Sequence, residues 1–295
     1  MNETTMPTGR PLAQALRDGD FVLAPGVFDL ISARSADALG FNALYMTGYG
    51  VSASLLGMPD AGYVSITDML GRVQQICTRT STPLIADADT GFGGALNVQH
   101  AVRGYERAGA QAIQLEDQEF PKKCGHTLGR RVIPLEDMVT KIRVAADSRD
   151  SGDFLIVART DARTAHGLDE ALRRGEAFAE AGADVLFIES PESVEEMEAI
   201  CARFDAPLLA NMVEGGRTPV LSQTELVALG YRLAIFPAIG MLAAARTLRE
   251  VYGALRQDGG SAAVHDRLLA FDEMNELTGF PDVWAFDARY GDAAE

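Results

Sequence analysis

Arg107-Ala108-Gly109-Ala110-Gln111-Ala112-Ile113-Gln114-Leu115 is the stretch that decides the fold. A helix end passes through a glycine and turns at once into an apolar strand, the second half of a βα repeat. The same form returns in Ala38-Leu39-Gly40-Phe41-Asn42-Ala43-Leu44-Tyr45-Met46, in Glu180-Ala181-Gly182-Ala183-Asp184-Val185-Leu186-Phe187-Ile188 and in Ala228-Leu229-Gly230-Tyr231-Arg232-Leu233-Ala234-Ile235-Phe236. Apolar runs at 21–25, 83–86, 154–158 and 207–210 bring the strands to eight, starting near residues 21, 43, 83, 112, 154, 184, 207 and 232. Continuous apolar strands alternating with helices form parallel sheets covered on both faces. Eight of them over this length predict an α/β fold, a (β/α)8 TIM-type barrel. A doubly wound open sheet is disfavoured, because no Gly-x-Gly-x-x-Gly turn follows the first strand. After the eighth strand the spacing predicts helices over 241–256 and 262–277, then a tail with Trp284, Phe286 and Tyr290. The expected organisation is a barrel catalytic domain over 1–256 and a C-terminal helical extension of the same domain over 257–295. The aromatics of that extension need a surface, and a neighbouring subunit supplies one.

The chain has 295 residues, 47% hydrophobic and 23% charged, which is ordinary for a globular protein. Its net charge is −16, from 42 acidic and 26 basic residues, with no basic run. Nucleic acid is therefore excluded as a partner, since phosphate binding needs clustered Lys and Arg. An anionic small molecule is not excluded, because it needs only a local positive site. The three cysteines, Cys77, Cys124 and Cys201, are widely spaced and offer neither a disulfide framework nor a zinc pattern. A reducing cytoplasm fits them best. Residues 1–10 lack an apolar signal core, and no run approaches the roughly 18 apolar residues of a membrane span.

Barrel enzymes carry their chemistry at the C-terminal ends of the strands. Here those ends read Thr47-Gly48-Tyr49-Gly50, Asp87-Ala88-Asp89-Thr90-Gly91, Glu116-Asp117, Arg159-Thr160-Asp161, Glu189-Ser190 and Asn211-Met212-Val213-Glu214. Asp87 and Asp89 share a face by alternation. Glu116 comes from the adjacent strand, and Asp60 can join from the loop after strand two. Crowded carboxylates repel one another unless a cation compensates, and hard oxygen donors suit Mg2+ or Mn2+. Helix capping accounts for such aspartates equally well. Arg159 suits a bidentate carboxylate, or equally a buried pair with Glu189. After Glu116 the chain reads Asp117-Gln118-Glu119-Phe120-Pro121-Lys122-Lys123-Cys124-Gly125-His126, a thiol beside cations that favour its ionisation.

The Lys122-Lys123-Cys124-Gly125-His126 loop resembles the signature loop of the isocitrate lyase and phosphoenolpyruvate mutase superfamily. Thr47-Gly48-Tyr49-Gly50, Gly57-Met58-Pro59-Asp60, Asp87-Ala88-Asp89-Thr90-Gly91-Phe92-Gly93, Glu116-Asp117-Gln118, Ala158-Arg159-Thr160-Asp161-Ala162 and Asn211-Met212-Val213-Glu214-Gly215-Gly216 are similar to further blocks in family order. The resemblance covers nearly the whole chain. It implies a Mg2+-dependent (or Mn2+-dependent) barrel, a homotetramer with its last helix exchanged between subunits, acting on a small carboxylate. It further implies metal ligation by Asp87 directly, with Asp60, Asp89 and Glu116 acting through water. Thr47, Gly48, Tyr49, Lys123, Gly125, Arg159, Glu189 and Asn211 would line the substrate. Cys124 would act as general acid, with Tyr45, Lys122 and His126 beside it. The implied reaction is retro-aldol cleavage of a 2-hydroxy acid into an α-keto acid and a second carboxylate. The strand-seven sequence Met212-Val213-Glu214 and the bulk of Tyr49 look more like the alkylmalate type than the tricarboxylate type. Phosphorus–carbon isomerisation and oxaloacetate hydrolysis or decarboxylation are alternatives on the same scaffold. Intact Asp87, Asp89, Glu116, Cys124 and Arg159 argue against a purely structural protein.

Overall fold

A computed structural model describes residues 10–125, 127 and 129–291. Its strands are β1 (Val22–Val27), β2 (Leu44–Met46), β3 (Leu84–Asp87), β4 (Ala112–Glu116), β5 (Leu155–Thr160), β6 (Val185–Ile188), β7 (Leu209–Asn211) and β8 (Leu233–Phe236). All pairings are parallel, in the order β6-β5-β4-β3-β2-β1-β8-β7. A single parallel bridge, Leu186 to Leu208, spans the remaining gap between β6 and the approach to β7. The result is a nearly closed eight-stranded barrel, as the apolar runs predict.

The repeated glycine explains how each helix feeds its strand. Gly40, Gly109, Gly182 and Gly230 have φ of +74°, +99°, +104° and +113°, the left-handed region that reverses the chain at a helix end. The helix starts are capped in the expected way. Asp29 accepts from Ser32 N at 2.8 Å ahead of helix Leu30–Asp37, and Ser65 and Ser222 cap Ile66–Cys77 and Gln223–Leu229.

Alternation along the strands divides the core in two. Tyr45, Ile85, Val157, Val185, Phe187 and Ile235 belong to the cluster inside the barrel. Leu44, Met46, Ile113, Ile156 and Leu186 face outward, packing with helix residues such as Met69, Val73, Tyr105, Ile142 and Phe178. Following the inward parity up each strand leads to Thr47, Asp87 and Asp89, Gln114 and Glu116, Arg159, Glu189, and Asn211. The strand interiors thus fix which polar residues crown the barrel.

The chain divides into two compact units at Met241–Leu242. Helix Ile239–Asp258 matches the expected one. The continuous helix expected over 262–277 is corrected. A 3-10 turn at Ala262–Arg267 gives way to extended backbone at Leu268 and Ala270, and helix resumes at Phe271–Thr278. Gly279, at φ +94°, ends that segment. The aromatic tail is itself helical, Phe280–Tyr290, with Pro281 in its first turn, where the missing N–H costs nothing. Among the described residues no helix is long and apolar enough to cross a membrane.

Candidate active site

Four carboxylates and one arginine gather at the C-terminal mouth of the barrel. Asp87 Oδ1 accepts from Asp89 N at 3.0 Å and Oδ2 accepts from Gly48 N at 3.2 Å. The chain runs so close to Asp87 at Gly48 that a Cβ there would lie 2.6 Å from Oδ2. Asp89 adopts φ +49°, an uncommon conformation for a non-glycine residue, directly after β3. In the β4–β5 ladder Glu116 pairs with Arg159, and their side chains approach to 3.5 Å.

The cation among the acids comes from the chain. Lys122 Nζ lies 2.5 Å from Asp60 Oδ1 and 2.6 Å from Asp89 Oδ1, with the lysine buried. Burial opposes its charge, but Asp89 and Asp60 outweigh it and hold the ammonium well above the ordinary lysine range. Burial pushes Asp89 up to about 7 despite Lys122, with Asp87 and Asp60 adding to the rise. Burial likewise raises Glu116, against the pull of Arg159. One ammonium therefore does not neutralise Asp60, Asp87, Asp89 and Glu116 together. Glu116 Oε1 has no hydrogen-bond partner among the described residues although it is buried. An all-carboxylate donor set with an unsatisfied oxygen and surplus negative charge fits a hard divalent cation. Among the described residues no three His, Cys, Asp or Glu side chains converge on one point as ligands; the Lys122 ammonium stands among them.

Arg159 faces the other side of the mouth. Its Nε and Nη2 donate to Asp161 Oδ2 and Oδ1 at 2.9 and 3.0 Å, and Nη2 lies 3.2 Å from Glu189 Oε2. Its guanidinium carbon sits 5.1 Å from the centre of the Phe187 ring, a cation–π contact. Asp161 is also gripped by Arg130 Nη1. Burial alone would raise the Asp161 carboxyl, but Arg159 and then Arg130 win and hold it below the usual range. Asn211 Nδ2 donates to Glu189 Oε2 at 3.0 Å. Arg159 thus meets Glu189 as a buried ion pair, one of its two expected roles, while remaining at the mouth.

The Lys-Lys-Cys-Gly segment is folded down over this site. Cys124 N donates to the Asp60 carbonyl at 3.2 Å. Gly125 is buried, and a Cβ on it would lie 2.2 Å from Arg159 Nη2. Lys123 points outward, its Nζ 3.4 Å from the Gly129 carbonyl. His126 lies outside the described residues. Tyr45 is buried inside the barrel and donates to Gln114 Oε1 at 3.1 Å, while Gln114 Nε2 reaches Asp87 Oδ1 at 3.4 Å. Burial, then Asp87, keeps the Tyr45 phenol well above its ordinary range, so it remains a proton-bearing donor. Thr47 is buried and its Oγ1 accepts from Gly50 N at 3.5 Å, while Tyr49 is partly exposed.

Sequence reasoning missed several members. Gln114 links Tyr45 to Asp87, and its signal was a lone amide at inward parity inside an apolar strand. Asp117 accepts from Thr160 Oγ1 at 2.6 Å, Asp161 N at 2.9 Å and Arg174 Nη1 at 2.9 Å. Burial, then Asp161, pushes its carboxyl up to about 6. Arg130 and Arg174 come from segments whose sequence carries no sign of this role.

Comparison with known proteins agrees with this geometry. The family model of phosphoenolpyruvate phosphomutase matches residues 12–256. The chain is 48% identical to 2,3-dimethylmalate lyase of Eubacterium barkeri, over 97% of this chain and 99% of that one. It is 41% identical to 2-methylisocitrate lyase of Aeropyrum pernix, over 98% and 94%. Among solved structures, oxaloacetate acetylhydrolase in complex with 3,3-difluorooxalacetate superposes with a TM-score of 0.92, at 35% identity and 97% coverage of both chains. A 2,3-dimethylmalate lyase of the PEP mutase/isocitrate lyase superfamily follows at 0.90, with 38% identity over 96% and 95%. Phosphonopyruvate hydrolase in complex with oxalate and Mg2+ gives 0.86, with 34% identity over 95% and 98%. The barrel, its crown of acids and these near-full-length likenesses agree, and the chain belongs to the phosphoenolpyruvate phosphomutase family.

Proposed function

We propose that the chain is a divalent-metal-dependent carbon–carbon lyase that cleaves a 2-hydroxy dicarboxylate of the alkylmalate class. The observation that carries this is the placement of the backbone that bears Cys124: it is folded onto the barrel mouth, with Lys122 among the acids and Gly125 against Arg159. A thiol brought there is suited to protonate a carbanion left when a carbon–carbon bond breaks. The kinship with 2,3-dimethylmalate lyase supports the same reading.

In this reading Asp87, Asp89, Asp60 and Glu116 would hold the ion, Mg2+ or Mn2+, which would supply Lewis-acid polarisation. Arg159 binds a substrate carboxylate, oriented by Asp161 and flanked by Glu189 and Asn211. Tyr45, held by Gln114, faces the 2-hydroxyl. The hydroxyl proton passes to a carboxylate of the acid cluster, the C2–C3 bond breaks, and C2 becomes the carbonyl of an α-keto acid. The electron pair stays on C3, which takes a proton from Cys124 and leaves as the second carboxylate. The folded-down loop keeps water from that carbanion. The reading extends to a cytoplasmic homotetramer, consistent with the exposed Phe271, Trp284 and Phe286 of the second unit. Oxaloacetate hydrolysis is the second reading, favoured by the likeness to oxaloacetate acetylhydrolase.

The test is turnover with Mg2+ on 2,3-dimethylmalate, 2-methylisocitrate, a 2-ethylmalate and oxaloacetate, with α-keto acid release and loss of oxaloacetate followed. Preferential cleavage of an alkylmalate is expected. Silence on all four with metal bound would overturn the reading and turn attention to phosphonates, followed by phosphorus NMR. Cys124→Ser should abolish cleavage while metal affinity stays; near-normal turnover would remove Cys124 from the chemistry.

A further inference from the structure

The loop bearing Cys124 is fixed at its base by Glu119 N donating to the Arg131 carbonyl at 2.9 Å and by a bridge between Gln118 and Val132. The Gln118 side chain clasps both backbone groups of Lys123, at 2.8 and 3.0 Å. Toward β3, the segment is tied down by Lys122 and by Cys124 N on the Asp60 carbonyl. Toward β6, Glu189 and Ser190 face it, and Ser190 reaches a backbone group. Ser190 Oγ lies 3.3 Å from the Gly125 carbonyl and 3.0 Å from Glu189 Oε1. Among the described residues no other donor reaches that carbonyl.

Ser190 is fully buried, and its backbone sits at φ +61°, a conformation that costs a non-glycine residue energy and persists only where the surroundings impose it. At that φ the side chain of the residue directly after Glu189 faces the loop. Its hydroxyl has one proton and two acceptors. With the loop down, the proton serves the Gly125 carbonyl. With the loop away, Glu189 takes it, so opening leaves no buried hydroxyl unsatisfied. At Ser190, opening therefore exchanges one hydrogen bond for another, which suits a contact that is made and broken at each turnover.

We infer that Ser190 is a positioning residue for Cys124: its hydroxyl fastens the Gly125 carbonyl and so holds the thiol, one residue earlier, over the pocket. The inference rests on the reading that Cys124 works from the folded-down loop, but its deciding readout, Cys124 labelling, needs no substrate.

Ser190→Ala and Ser190→Gly both remove the hydroxyl, while only the glycine also relieves the backbone. On the full-length protein, in the presence of Mg2+ and oxalate, two rates are followed by peptide mass spectrometry: iodoacetamide labelling of Cys124 and trypsin cleavage after Lys123. Both variants should show both rates about fivefold or more above wild type, as expected for a carbonyl that loses its donor on closure. Labelling of Cys77 should stay slow, reporting an intact barrel. Mg2+ affinity by calorimetry should hold, and kcat should fall more than KM rises. Unchanged Cys124 labelling in both variants would overturn the latch. So would acceleration in Ser190→Ala alone, which would assign the effect to backbone conformation. Acceleration in both, together with a silent substrate panel, would keep the latch and overturn the proposed chemistry.

Discussion

Replacing Gly125 by alanine tests whether the folded-down loop is the working state. A Cβ at this position would lie 2.2 Å from Arg159 Nη2 and 3.0 Å from both Cδ and Oε2 of Glu189. Ordinary contact begins near 3.4 Å, so about 1.2 Å (3.4 − 2.2) must be recovered. Arg159 does not give way freely. Its guanidinium is buried, doubly bonded to Asp161 and 3.2 Å from Glu189. If it swings, a charge-assisted contact is lost, worth about 1.5–3 kcal/mol; if the loop lifts instead, Cys124 leaves the mouth. Either route should lower kcat/KM about 10- to 100-fold at roughly 1.4 kcal/mol per decade. The loop is outside both apolar clusters, so if it lifts the melting temperature should hold, whereas if Arg159 swings it should fall by about 3–12 °C. Steady-state kinetics on the best panel substrate beside a thermal melt measures both. A kcat/KM within twofold of wild type with an unchanged melt would refute the claim that Gly125 must approach Arg159 during turnover.

The cysteines should label unequally. Burial pushes Cys77 up to about 12 and Cys201 up to about 11, so at pH 8 their thiolate fractions are about 10⁻⁴ and 10⁻³; iodoacetamide should mark Cys124 first, and early labelling of Cys77 would contradict its packing beneath Gly109. Asp117→Asn should deprive the buried Arg174 of one of its two carboxylate partners, Glu170 remaining, and loosen Thr160 and the Asp161 backbone, lowering stability by about 2 kcal/mol and the melting temperature by about 4–8 °C; a melt within 1 °C or so of wild type would remove Asp117 from the list of structural supports. Truncation after Gly260 removes Phe271, Trp284 and Phe286 and should break the proposed tetramer; a truncated chain that stays tetrameric by light scattering would show that the oligomer does not depend on the extension.

The barrel was legible because its signal is repeated. A glycine that must take positive φ, followed at once by apolar residues, recurs four times, and each strand begins within two residues of its expected start. The crown was legible for a related reason. Inward parity is set by the strand, so Asp87, Glu116, Arg159, Glu189 and Asn211 follow from counting in twos along sequences whose apolar residues are already placed. The extension was less legible. Nothing in Leu268-Leu269-Ala270 resembles a helix breaker, yet the backbone there is extended, because local propensity is a weak guide where tertiary surroundings decide.

Partners contributed by loops were least legible, and Lys122 shows why. Sequence alone offers several carboxylates at one barrel mouth, which call for a compensating cation unless they cap helices, but charge is anonymous: a metal ion, an arginine or a lysine all answer the demand. Which one does so depends on where a loop of a dozen residues comes down. Here Lys122 lands between Asp60 and Asp89, and Arg159 approaches Glu116. Lys122, Arg159 and Arg130 against Asp60, Asp87, Asp89, Glu116, Asp161 and Glu189 leave the mouth short of positive charge. Burial raises Asp89 and Glu116 in the same place, and Glu116 Oε1 has no hydrogen-bond partner among the described residues. These signs come from burial, which sequence does not display, and all point to a further positive charge. The acid cluster therefore serves the loop as well as the proposed ion. Asp60 accepts the Lys122 ammonium through its side chain and the Cys124 amide through its carbonyl, so a change at Asp60 should disturb thiol placement along with metal affinity, and the two effects separate when Cys124 labelling is measured beside metal titration.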